Sequence, residues 1–93
     1  MTLEMISEKV QEVVKEYPIS RICLFGSRAA GTNREDSDVD FIMEFSEPMS
    51  LLRLSMLRIR LEELLQLEVD IVHGPLRESD MLEVDKVVEL YAA

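Results

Sequence analysis

The chain is short of basic residues, of cysteine and of long apolar runs, and each shortage excludes something. Ten Lys and Arg stand against 19 Asp and Glu in 93 residues, a formal net charge of -9. Sequence-independent nucleic-acid binding depends on lysines and arginines that neutralise phosphates, so direct binding to nucleic acid is not expected. A free nucleotide is repelled too, unless a divalent cation or a local arginine intervenes. The single cysteine, Cys23, permits no intramolecular disulfide, and its apolar neighbours mark it as a buried thiol. No stretch approaches the roughly 20 apolar residues that span a bilayer. The opening MTLEMISEKV carries acidic residues and no continuous apolar run, so no signal peptide is expected. The expected setting is the cytoplasm. Repeats, linkers and low-complexity tracts are missing as well. A chain of this length builds one domain, residues 1–93, around one core, with no room for a separate substrate-binding domain.

What is present is periodicity. Leu3, Ile6, Val10, Val13, Val14 and Tyr17 recur at helical spacing until Pro18 stops them, predicting a helix over residues 2–16. ISRICLF then reads as a strand over 20–25, ending at Gly26. Residues 28–31 suit a short helical turn and TNREDS is turn material. From Asp38 to Phe45 the chain alternates, Asp38, Asp40 and Ile42 facing one way and Val39, Phe41 and Met43 the other. Ser46-Glu47-Pro48 signals the start of the longest helix, residues 49–66, and LEVDIVH is a third strand closed by Gly74-Pro75. A last helix is expected from about Ser79, with Met81, Val84, Val87, Val88 and Tyr91 on one stripe. The fold class is therefore α/β (α+β): a small mixed sheet of about three to four strands flanked by helices.

The long helix has more apolar surface than one face needs. Leu54, Leu57, Leu61, Leu64 and Leu65 form a broad stripe suited to the sheet, while Leu52, Met56 and Ile59 form a second, roughly opposite. Either a neighbouring helix covers this second stripe or it meets a partner or another copy of the chain.

The chemistry concentrates in GSRAAGTNREDSDVD, residues 26–40. A glycine after a strand lets the backbone approach a ligand, and a helical turn starting at Ser27 or Arg28 aims free N–H groups at the same point. Asp38 and Asp40, two apart on a strand, put both carboxylates on one face. Two such anions repel, and burying either costs several kcal/mol in order of magnitude unless a cation or donor compensates. Mg²⁺ favours a few carboxylates with waters and phosphate oxygens. Asp70 interrupts the alternation of Leu67, Val69 and Ile71, and if the third strand lies beside the second it faces Asp38 and Asp40. Taken alone, Gly-Ser is an ordinary turn, Asp-x-Asp a solvated strand edge and Asp70 an edge residue. Together they describe a site for metal-assisted attack on a nucleoside triphosphate. His73, the only histidine, is read as a strand-end residue and is given no chemical role.

Gly-Ser, about ten residues, Asp-x-Asp and a later strand aspartate, here Gly26, Ser27, Asp38, Asp40 and Asp70, resemble the minimal nucleotidyltransferase family, the smallest members of the DNA polymerase β-like superfamily. Arg28, Gly31 and Ser37 add to the likeness, which spans nearly the whole chain. Ala30 stands where many relatives carry arginine. The resemblance implies a polymerase β-like core and two Mg²⁺ ions held by Asp38, Asp40 and Asp70, which would also be the catalytic residues. It implies nucleotide binding by Gly26, Ser27 and Arg28, and ATP as substrate, with release of pyrophosphate. Stand-alone proteins of this kind are similar to antitoxins paired with a helical HEPN-type ribonuclease toxin, onto whose tyrosine AMP is transferred. The alternative is a non-catalytic antitoxin that neutralises its partner by complex formation.

Overall fold

The structure, a computed structural model, describes residues 2–74 and 87–93. Its first helix, α1 (Leu3–Val14), starts where the Thr2 side chain accepts a hydrogen bond from the Met5 amide, with Glu4 in the first turn facing the helix dipole. It stops short of Pro18 and buries Ile6, Val10 and Val13. Strand β1 (Ile19–Phe25) leads into a four-residue helix, α2 (Ser27–Ala30), closed by Gly31 in the left-handed region at φ 78°. Strand β2 (Val39–Phe45) follows, then α3 (Leu51–Leu65), capped by the Ser50 hydroxyl on the Arg53 amide. Strand β3 (Val69–His73) and strand β4 (Val88–Ala92) complete the described chain.

The sheet runs β3-β2-β1-β4. β1 lies antiparallel to both β2 and β4, whereas β2 and β3 are parallel, the helix α3 making the crossover that a parallel pair requires. One face carries the core: Ile22, Leu24, Val39, Phe41 and Met43 are fully buried against Ile6, Val10 and Val13 of α1 and Leu57, Leu61 and Leu65 of α3. Each such side chain contributes about 1.5–3 kcal/mol on removal from water. The mixed sheet flanked by helices agrees with the fold class read from the pattern. Among the described residues no helix is long and apolar enough to cross a membrane.

Two expectations are corrected and one open choice is narrowed. The stripe assigned to a last helix ends in a strand, because Val88–Ala92 pairs with β1, Tyr91 opposite Ile22 and Val88 opposite Leu24. The earlier part of that expected helix, from Ser79, lies outside the described residues. The second strand begins at Val39, so Asp38 sits in the preceding loop. On α3, no helix among the described residues shields Leu52, Met56 and Ile59, which are 71%, 52% and 50% exposed.

Candidate active site

Alternation and register bring the acidic residues together. With Val39, Phe41 and Met43 in the core, Asp40 projects to the opposite face of β2. In parallel pairing Asp40 is opposite Asp70, so both carboxylates stand on that face of neighbouring strands. The register is pinned at its start. The Val39 amide donates to the Glu68 carbonyl at 2.9 Å, and the Val69 amide donates to the Glu62 carboxylate at 3.1 Å, one residue before Asp70. On the other side β1 sets Phe25 opposite Asp40 and ends at Gly26, whose φ of 77° and ψ of -156° belong to a region essentially reserved for glycine. A Cβ at Gly26 would sit 2.5 Å from Oδ2 of Asp40. The turn and the carboxylate are therefore in direct contact.

The electrostatics follow from this crowding. Partial burial, the charges of Asp70 and Asp38, and a side-chain hydrogen bond with Asp70 push the Asp40 carboxyl above its ordinary value. Asp38, in the exposed loop, is close enough to act on Asp40 through its charge.

The loop that carries Asp38 is held from below by Arg28. This side chain is buried, 8% exposed, and its Nε and Nη2 donate to the Ser37 carbonyl at 3.1 and 2.8 Å, while Nη2 also donates to the Glu35 carbonyl at 3.1 Å. The Ser37 hydroxyl in turn accepts from the Arg34 amide at 2.8 Å. The structure thus spends Arg28, expected at the nucleotide, on backbone carbonyls of the loop. Ser27 stands at the start of α2 beside Gly26, half-buried. Ala30 is exposed.

Glu62 escaped the sequence reading. No local signal marks it, because its carboxylate is placed by the crossover rather than by a motif. A groove of about 260 Å³ was missed as well; it is lined by Leu51, Leu54, Ser55 and Arg58 of α3 and by Asp70, Ile71 and His73 of β3. Its signal lay in the α3 flank between the two apolar stripes. His73 is exposed and its ring lies 5.3 Å from that of Phe45, in keeping with a structural role.

Among the described residues no three His, Cys, Asp or Glu side chains converge tightly enough to hold an ion unaided. The donor set nonetheless fits a hard divalent cation. The Asp40–Asp70 pair is an uncompensated oxygen-only site, and Mg²⁺ is usually held by one or two carboxylates while keeping several waters or phosphate oxygens. Asp38 adds charge from the loop.

A family model described as the nucleotidyltransferase domain matches residues 6–91. The chain belongs to this nucleotidyltransferase family. It is 40% identical over 76 residues to the protein adenylyltransferase MntA of Thermococcus cleftensis, the match covering 77% of each chain. A solved structure of a candidate minimal nucleotidyltransferase is 34% identical, with a TM-score of 0.75 and 95% of each chain covered. The fold is also that of a complex of a tri-AMPylated Shewanella oneidensis HEPN toxin with its MNT antitoxin, at 16% identity and a TM-score of 0.71, covering 97% of this chain and 72% of that one.

Proposed function

We propose that the protein, acting as a single domain, transfers AMP from ATP to a hydroxyl, that of a tyrosine on a HEPN-type toxin, and so serves as that toxin's antitoxin in the cytoplasm. The observation that carries this reading is the pairing of Asp40 with Asp70 across parallel strands, against the glycine turn at the end of β1. The name of the Thermococcus relative supports protein adenylylation, and the Shewanella complex supports the partner.

In this mechanism Gly26 keeps the turn bare, so that a triphosphate approaches the backbone, and the Ser27 hydroxyl donates to a phosphate oxygen. Asp40 and Asp70, with Asp38 from the loop, would hold two Mg²⁺ ions, and Arg28 keeps that loop in place from behind. Such ions would supply charge neutralisation for the triphosphate and ease deprotonation of the acceptor. The acceptor oxygen attacks the α-phosphorus and the bond from that phosphorus to the bridging oxygen breaks. Pyrophosphate leaves, and the acceptor proton passes to the Asp70 carboxylate as general base.

The test is incubation with labelled ATP, Mg²⁺ and the HEPN-type partner. Label appears on the partner with the natural sequence and not with Asp38→Asn or Asp40→Asn. Persistent labelling by those variants overturns the mechanism. If a doubly substituted chain still neutralises the partner fully at matched concentration, the protein acts by complex formation alone.

A further inference from the structure

We propose that Glu62 is a positioning residue for the carboxylate pair: by holding the first outward amide of β3, its side chain keeps Asp70 level with Asp40. The ladder shows why that amide needs a partner. The Val39 amide donates to the Glu68 carbonyl at 2.9 Å and the Gly74 amide to the Met43 carbonyl at 2.7 Å, within a parallel register. Asp70, Val72 and Gly74 therefore turn their amides to β2, and Val69 turns its own away. Among the described residues β3 ends the sheet, so no strand there receives it. The Glu62 carboxylate does, at 3.1 Å and partly buried, in a bond that its charge strengthens.

Glu62 also fastens the link between α3 and β3. Its main-chain carbonyl accepts from the Gln66 amide at 2.8 Å, and Gln66, at φ 57°, is the one non-glycine residue of positive φ among the described residues. The Gln66 side chain donates to the Glu63 carbonyl at 2.7 Å. The stretch from Gln66 to Val69 is thus tied to Glu62 at both ends, and through the Glu68 carbonyl to β2. Helix stability does not account for an acid here. Glu62 lies in the last turn of α3, which has no basic residue, and the helix dipole disfavours negative charge at that end. The charges that act on the Asp40 carboxyl are those of Asp70 and Asp38, so Glu62 reaches the site through its bond and not its field.

The effect falls on Asp70 because one peptide unit, ~3.8 Å between Cα atoms, separates it from Val69. A slip of one residue would carry β3 about 3.3 Å and turn Asp70 to the other face. Buried Val69 opposes a full slip, so loss of the Glu62 bond loosens the start of β3 without resetting it. Mg²⁺ demands near-ideal geometry at about 2.0–2.1 Å, and a pair of carboxylates sharing it responds to far smaller shifts than a slip. That use of the pair rests on the proposed transfer reaction; the hold of Glu62 on β3 does not.

The experiment uses the full chain, without nucleotide, and Mg²⁺ alone as the probe. Nuclear magnetic resonance reads Mg²⁺ affinity from the Asp40 and Asp70 amides, and the alignment from proton contacts of the Asp70 amide across to Val39 and Asp40. Glu62→Ala weakens those contacts and lowers Mg²⁺ affinity by about tenfold or more, the loss typical of a group that orients a metal ligand. Glu62→Gln keeps an acceptor oxygen on an arm of the same length and restores most of both. Val13→Ala, in the core on α1, lowers the melting temperature and changes neither, so lost stability does not imitate the effect. Natural contacts or natural Mg²⁺ affinity in Glu62→Ala overturn the proposal. So does a like change in Val13→Ala, or a Glu62→Gln chain as poor as Glu62→Ala, because the bond is then not the cause. A natural chain that binds no Mg²⁺, or labels no partner, strikes the transfer reading, and the contacts across β2 and β3 then decide the role of Glu62 by themselves.

Discussion

Replacing Asp40 with asparagine stabilises the fold while abolishing transfer. Parallel strands lie about 4.8 Å apart. Two unit charges at that separation repel by about 1–3 kcal/mol between water-like and protein-surface dielectrics. Asp70 is exposed, so the solvated end applies, and the expected gain is ~1 kcal/mol. For a domain of this size that is a rise in melting temperature of about 4–8 °C. Asparagine preserves the shape beside Gly26 and gives Asp70 an amide donor. The pH dependence has a definite sign. Burial, then the charges of Asp70 and Asp38, raise the folded carboxyl of Asp40 above the ordinary value of 3.8. The folded state thus holds this proton more tightly than the unfolded one. Its contribution is complete below 3.8 and is lost as pH rises through the raised folded value. The difference between natural and Asp40→Asn unfolding curves in urea isolates that loss. Mg²⁺ at tenfold its dissociation constant restores about 1.4 kcal/mol to the natural chain and much less to the variant. A lower melting temperature for Asp40→Asn, or equal stabilisation of both proteins by Mg²⁺, would refute the reasoning.

Gly26→Ala forces a non-glycine residue into a backbone region worth about 1–3 kcal/mol of strain and drives a Cβ against Oδ2 of Asp40. Urea unfolding should show a loss of about 2 kcal/mol, together with loss of labelling. Arg28→Ala removes three charge-assisted bonds to the Ser37 and Glu35 carbonyls, for about 2–3 kcal/mol. Hydrogen exchange should quicken across residues 34–38, and Arg28→Lys should rescue only in part because an ammonium lacks the fork. Leu61→Ala, at a fully buried position, should cost about 3 kcal/mol, whereas Met56→Asp on the same helix should stay within about 0.5. Equal costs for these two would contradict the assigned faces of α3.

The site was legible wherever spacing alone carries geometry. Alternation from Val39 to Met43 sends Asp40 away from the core whatever strand lies beside it, and the same phase holds for Asp70. That the two are opposite one another goes with contacts just before β3, where Glu62 of α3 accepts from the Val69 amide and the Glu68 carbonyl accepts from the Val39 amide, and hydrophobic alternation reveals neither. Arg28 shows the same limit. An arginine after Gly-Ser suits a phosphate as well as a loop carbonyl, and only the return of residues 35–37 over it decides. β4 was misread because Val87, Val88 and Tyr91 satisfy a helical stripe as readily as a short strand. The free edge of β1 settles it. Arg21 on that strand reaches Glu89 at 2.9 Å, an exposed pair worth little energetically that records the antiparallel alignment.

The distribution of charge explains why the fold and the chemistry need a cation in common. Asp40 and Asp70 are set side by side at a cost to stability, and Asp38 adds to the same field. The arginine nearest the turn in sequence faces the loop carbonyls instead of that field. Ala30, exposed at the end of α2, adds no guanidinium there. A triphosphate arriving alone would add negative charge to a negative site on a negative chain. Binding of nucleotide is then strongly coupled to binding of a divalent ion, each raising the affinity of the other by the same factor. The carboxylates do not stabilise the protein; they hold an electrostatic deficit that, in the proposed reaction, metal and nucleotide would relieve together.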